Sequence, residues 1–227
     1  MIIDFNITNY CNAKCPTCKR FDSDNYLQLE KNLSLVHMNF DNWKTIIERN
    51  SSYFLKKICY FCGEFGDPLM HPKIKDFVEV ASKIFKEVSV YTNGGLRRTE
   101  FFDYLTNEGP NVIVRFGIDG LTQEVNNKYR INVDTELAFK NMLLLSSVGK
   151  AHWDYTIFEH NLFELTDVIT IAIDNNIPLS LRFNLRPNYH GINRIHEKEV
   201  KRVKKIVRRF EKTNKIIHLD DFWINNL

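Results

Sequence analysis

Short runs rich in Ile, Val and Phe alternate along this chain with longer stretches in which apolar residues return every three or four positions. The short runs, Ile2–Thr8, Lys57–Cys62, Glu87–Thr92, Val112–Ile118, His152–Phe158 and Leu179–Asn184, have the length and β-branched content of strands. Between them Asp41–Asn50, Lys73–Phe85, Thr99–Asn107, Thr135–Ser147 and Leu162–Asn175 carry the helical period. Asp41 and Thr135 stand where N-caps belong, and Pro72 where a first helical turn tolerates proline. Strands alternating with helices imply parallel pairing through right-handed crossovers. The weak polar alternation within the strands predicts a sheet covered on both faces. The expected fold class is α/β, a partial (β/α)6 TIM-like barrel, because the residues run out before eight units are built. A doubly wound sheet has the same periodicity.

The pattern changes after Asn184. Arg186–Arg194, with Pro187, Tyr189 and Gly191, reads as loop. His196–Lys212 then places Val200, Val203, Val207 and Phe210 at helical spacing, with Lys198, Lys201, Arg202, Lys204, Lys205, Arg208, Arg209 and Lys212 on the other faces. Two segments are expected: a core over 1–185, and over 186–227 a loop and basic helix packed on that core.

A hydrophobic fraction of 44% and a charged fraction of 26% are those of a soluble globular protein. No apolar run approaches the roughly 20 residues that span a bilayer. The start, MIIDFNITNYCN, reads as a first strand and not as a secretory signal, so a cytoplasmic setting is expected. A net charge of +3 by itself argues for neither membrane nor nucleic acid as a partner.

Chemistry enters with the cysteines. There are five, an odd number, and Cys11, Cys15 and Cys18 fall within eight residues directly after the first strand. That distribution points to metal ligation in a reducing compartment and away from a disulfide framework. Gaps of three and two residues let a short loop wrap one corner of a cubane, so three thiolates reach three irons and one iron stays open. A zinc-stabilised binding module for nucleic acid or protein is the competing reading, using Cys15, Cys18, Cys59 and Cys62. Against it, the two pairs stand about twice as far apart as in a zinc ribbon, and Cys11 is left over.

With these motifs in order, the sequence resembles the radical SAM superfamily over nearly its whole length, in the style of its SPASM and twitch members. Cys11-x3-Cys15-x2-Cys18 resembles that family's cluster motif. CGEFGDPLMHP resembles its Gly-Glu-Pro segment, in which the backbone from Gly63 through Glu64, Phe65 and Gly66 to Asp67 would hold the methionyl amine of S-adenosylmethionine (SAM). YTNGG resembles the Thr-Asn-Gly element, with Asn93 facing the cofactor, and FGIDGLTQEVNNKYR resembles the Ser-Ile-Asp-Gly segment. The resemblance implies that Asp119 lies near cofactor or substrate and that Arg130 pairs with the SAM carboxylate. It also implies that Asn161 lies near ribose or adenine, and that Arg182 and Asn184 face the same mouth. Two positions depart from the family: Thr17 stands where an aromatic residue is common beside the adenine, and Gly117 replaces the usual serine. No cysteine follows Cys62, which argues against auxiliary clusters.

The resemblance implies an oxidoreductase-type radical enzyme with a 4Fe-4S cluster and SAM as cofactors. Such an enzyme cleaves SAM reductively to a 5′-deoxyadenosyl radical that abstracts hydrogen from a substrate; no motif names that substrate, whether small molecule, peptide or nucleotide. Reduced flavodoxin or ferredoxin is the expected electron donor, and the basic helix offers complementary charge for docking. The Arg186–Arg194 loop is a candidate lid. Scattered aromatics (Tyr189, Phe210, Trp223) provide no base-stacking platform, which argues against a nucleic-acid partner.

Overall fold

The computed structural model describes residues 1–22, 28–107, 111–184, 195–211 and 214–219. Seven strands, β1 (Ile2–Asp4), β2 (Ile58–Phe61), β3 (Glu87–Thr92), β4 (Val112–Gly117), β5 (Ala151–Ile157), β6 (Leu179–Phe183) and β7 (Ile217–Leu219), form one sheet in sequence order. All neighbours pair parallel. The helices between them are α1 (Phe40–Arg49), α2 (Ser51–Phe54), α3 (Ile74–Ile84), α4 (Thr99–Asn107), α5 (Gln123–Asn126), α6 (Thr135–Ser146), α7 (Leu165–Asp174) and α8 (Glu197–Glu211). Because each crossover steps in the same direction, the helices gather on one side and the sheet curls into a partial barrel. A doubly wound sheet would reverse direction once.

Three expectations are corrected. The barrel has a seventh strand: β7 continues the sheet beside β6, with Leu179 opposite Ile217 and Leu181 opposite Leu219. The segment after 185 therefore adds a strand and does not merely rest on the core. Second, the N-caps are Asn39 and Asp134, whose side chains accept from Asn42 N (2.9 Å) and Leu137 N (3.0 Å). Asp41 and Thr135 are already inside the helices. Third, alternation in β4 and β5 is strict. Val112, Val114, Phe116, Trp153 and Tyr155 are buried on the helix side, and Arg115, Gly117, Asp154 and Thr156 turn to the interior cavity.

The core lies between sheet and helices. Where β2 meets α1 and α3 it is an aromatic wedge, with Phe77 centred 4.7 Å from Trp43, 5.0 Å from Phe40 and 6.0 Å from Phe61. Each such ring, fully buried, contributes about 1.5–3 kcal/mol. On α8, Val200, Val203 and Val207 are buried as the periodicity requires. No described helix is long and apolar enough to cross a membrane. The candidate lid at 186–194 and Trp223 lie outside the described residues.

Candidate active site

β1 ends at Asp4, earlier than its apolar run, because the next residues serve the loops: Asn6 Oδ1 accepts from Glu64 N (3.2 Å), and Thr8 Oγ1 bonds His37 Nδ1 (2.9 Å). The cysteine loop follows. Cys18 N donates to Cys15 O (3.0 Å), and Lys14 N to Ile131 O (2.9 Å), which ties the loop to the far side of the barrel mouth. Arg20, only 4% exposed, donates Nη2 to Ala13 O (2.6 Å) and Nη1 to Asn9 O (3.5 Å), bracketing Cys11 from behind.

The three thiols line one wall of a cavity of about 370 Å³. Burial pushes the Cys11 thiol up to about 12 and raises Cys15 too, while Arg20 opposes the shift at Cys11 and Arg130 at Cys15. A soft metal centre would displace those protons and ionise the thiols. Among the described residues no three His, Cys, Asp or Glu side chains converge on one point as ligands of a single ion. Thiolates that each ligate a different iron need no such convergence, so the donor set fits a cubane held at three corners. The zinc reading fails on geometry. Cys59 is 0% exposed within the helix-side core, whereas Cys62 lines the cavity.

The turn from Gly63 to Asp67 forms the next wall. At Gly66 a β-carbon would lie 2.3 Å from Thr8 O and 2.8 Å from Tyr10 O, so only glycine lets this turn press against the chain entering the cysteine loop. Asp67 N donates to Tyr10 O (2.8 Å) there. Gly63, Glu64, Gly66 and Asp67 line the cavity, with Glu64 exposed and paired to Lys19. Phe65 is a correction: it is absent from the lining and sits 6.0 Å beneath the Lys19 ammonium. Asn93 reaches the cavity, but its carboxamide is engaged with Asp67 and Asn12, so it braces the cysteine loop instead of simply facing a cofactor.

On the opposite wall Arg130 lies over Gly117, with Nε on Asp119 Oδ2 (2.7 Å) and its positive charge acting to lower the Cys15 thiol pKa. Asp119 is 0% exposed and does not line the cavity; its other oxygen accepts from Thr156 N (2.7 Å). It therefore acts through Arg130. Asn161, also 0% exposed, donates to Asp119 O (2.8 Å) and Thr156 O (2.9 Å) and accepts from Phe158 N (2.8 Å). It shapes the loop after β5 and does not line this cavity. Both corrections have one cause: a carboxylate or carboxamide beside so many backbone groups is drawn inward to satisfy them.

Thr17 lines the cavity and bonds the hydroxyl of Tyr129 (2.8 Å), whose ring packs on Phe158 at 4.5 Å. Tyr129, which the sequence reading missed, supplies an aromatic surface beside the position where Thr17 lacks one. Of the floor, only Arg182 was foreseen. Arg115 grips Asp154 through Nε (2.9 Å) and Nη2 (2.6 Å), Arg182 approaches Asp154 at 3.6 Å, and Ser180 bonds both Arg115 (3.3 Å) and His152 (2.8 Å). Arg182 thus lines the cavity near Cys62, whose thiol burial holds up at about 11.

Comparison with known proteins agrees with this arrangement. The subtilosin biosynthesis protein AlbA of Bacillus subtilis (strain 168) is 28% identical over 169 residues, 72% of this chain and 35% of AlbA. GTP 3′,8-cyclase of Clostridium perfringens (strain 13 / Type A) is 24% identical over 195 residues, 78% of this chain and 53% of the cyclase. The chain thus spans about a third to a half of these curated relatives. Streptococcus suis SuiB, solved bound to S-adenosylmethionine, shares the fold at a TM-score of 0.73 and 14% identity, over 96% of this chain and 49% of SuiB. Residues 5–167 match the radical SAM superfamily, and the chain belongs to that superfamily, whose cofactors are a 4Fe-4S cluster and SAM.

Proposed function

We propose that this chain cleaves SAM reductively, with Cys11, Cys15 and Cys18 holding the 4Fe-4S cluster, and acts on a peptide. The observation that carries this reading is that the three thiols, the Gly63–Asp67 turn and the Arg130 guanidinium open onto one cavity. When bound, cluster and SAM supply a 5′-deoxyadenosyl radical for hydrogen abstraction. The chain's residues do the rest. Backbone carbonyls of the Gly63–Gly66 turn accept the methionyl amine. Arg130, oriented by Asp119 through Nε, turns its terminal nitrogens to the methionyl carboxylate. Tyr129 and Thr17 close the side of the cavity, and Arg20 with Arg130 offsets thiolate charge. The Arg115–Asp154–Arg182 group forms the polar floor of the same cavity and would face a bound substrate from below.

A peptide substrate is supported by similarity to AlbA and by SuiB, which has been solved with its precursor peptide SuiA. Similarity to GTP 3′,8-cyclase makes a nucleotide the control. The donor would be reduced flavodoxin or ferredoxin, with the basic face of α8 favouring an acidic carrier. The first test is anaerobic iron and sulfide analysis with absorption near 400 nm. Wild type should hold about four irons per chain, and Cys11→Ala should lose them. A dithionite assay should then yield 5′-deoxyadenosine and methionine, faster with a precursor peptide than with GTP. A colourless wild type would sink the proposal, and stimulation by GTP alone would replace the peptide.

A further inference from the structure

We infer that the buried Asp67 carboxylate, hydrogen-bonded to Thr92 and Asn93 beneath the cysteine loop, sets the reduction potential of the cluster, and that Asn93 moderates its effect. This rests on the proposed cluster at Cys11, Cys15 and Cys18. It gives Asp67 a task distinct from holding SAM.

Asp67 is 3% exposed. Its oxygens accept from Leu69 N (2.9 Å), Thr92 Oγ1 (2.9 and 3.0 Å), Asn93 N (2.8 Å) and Asn93 Nδ2 (2.7 Å). Three of these partners are obligate donors, and an acid proton on Asp67 would need an acceptor in their place. Burial raises this carboxyl above its usual range, and the hydrogen bonds from Asn93, Leu69 and Thr92 oppose that shift, so the donor geometry is built for the carboxylate form. Every hydrogen-bond donor is neutral, and the Arg130 charge across the cavity helps hold the carboxylate but ranks below those hydrogen bonds.

That charge stands one carboxamide away from a cluster ligand. Asn93 Nδ2 donates onward to Asn12 Oδ1 (2.7 Å) and lies 3.8 Å from Cys11 Sγ, which also accepts from Ala13 N (3.3 Å). A fixed negative charge beside the cluster opposes an added electron, whereas N–H groups near the sulfur favour it. Thr92 and Asn93 delocalise the carboxylate charge onto their own donors. Removing the charge and removing its donors should thus act in opposite directions, which a purely structural role would not produce.

The test is an anaerobic redox titration of the reconstituted protein without SAM, following the electron paramagnetic resonance signal of the reduced cluster. Asp67→Asn keeps the shape, removes the charge and should raise the potential. The expected rise is tenfold in the ratio of reduced to oxidised cluster at fixed applied potential, about 59 mV for one electron. Asn93→Ala and Thr92→Val should each lower the potential. Unchanged potentials, or shifts of one sign in all three variants, would overturn the inference. So would loss of the cluster from every variant while wild type retains it, which would leave Asp67 a structural role only. A wild type without iron would instead fail the underlying proposal.

Discussion

Gly117 and Arg130 decide how the SAM side of the cavity is shaped. A β-carbon at Gly117 would stand 2.7 Å from Arg130 Nη2 and 3.1 Å from Cζ, so the missing side chain is the space the guanidinium fills. The segment this sequence resembles has serine at that place, and here the Arg130 guanidinium packs where a side chain would stand. Gly117→Ser should push the guanidinium off its place, at a cost of about 1–3 kcal/mol. Because Asp119 fixes Nε, the displacement falls on the two terminal nitrogens. SAM affinity, read by anaerobic calorimetry on cluster-loaded protein, should drop about tenfold or more, since each 1.4 kcal/mol is a factor of ten. Unaltered affinity would remove Arg130 as the partner of the SAM carboxylate. Arg130→Lys should weaken binding similarly, because an ammonium cannot hold Asp119 and a carboxylate with one planar fork.

Among the elements, α8 shows what local pattern can and cannot reveal. Its apolar stripe and cationic faces were legible, because amphipathicity is written at a spacing of three and four residues. β7 was not: Ile217–Leu219 is three residues long, too short for a period of two to stand out, and only its pairing with β6 makes it a strand. The caps at Asn39 and Asp134 were misplaced by one or two residues, the usual limit when the capping bond itself is out of view. Position in the fold also bears on electron supply. Between the parallel strands β6 and β7, α8 runs back antiparallel to them, so Arg208 and Arg209 lie about 10–12 Å further from the cavity end than Lys201 at 1.5 Å per residue. Charge reversal at Lys201 should therefore slow SAM cleavage driven by reduced flavodoxin more than reversal at Arg208 and Arg209. Cleavage driven by dithionite should not change in either variant. Equal flavodoxin-driven rates in all proteins would move the docking surface off α8, to the cysteine-loop side around Lys14 and Lys19.

At the scale of the whole molecule, the motifs at the strand ends were readable because each is contiguous in sequence: the cysteine loop, the Gly63–Asp67 turn, and the segment from Gly117 to Arg130. The polar floor was not, because it exists only once register is set. Arg115 pairs opposite His152, and Asp154 opposite Ser180, across three strands. That assembly gives the fold a pH dependence of its own. His152 is held down at about 4, first by burial and then by the Arg115 charge, with Asp154 opposing and Arg182 and His218 adding to the depression. The unfolded chain takes up a proton near 6.5 that the native chain refuses until about 4. The contribution of neutral His152 is therefore complete above pH 6.5 and is lost as pH falls toward 4, amounting in full to about 3 kcal/mol. Urea unfolding at pH 7 and pH 5 should show wild type losing about 2 kcal/mol more over that interval than His152→Asn, which cannot titrate. An equal loss in both proteins would mean that the floor tolerates the imidazolium and that its acid sensitivity lies elsewhere. A larger loss in wild type would assign that share of the acid sensitivity to His152 and to the buried, Arg115-facing floor that keeps it neutral.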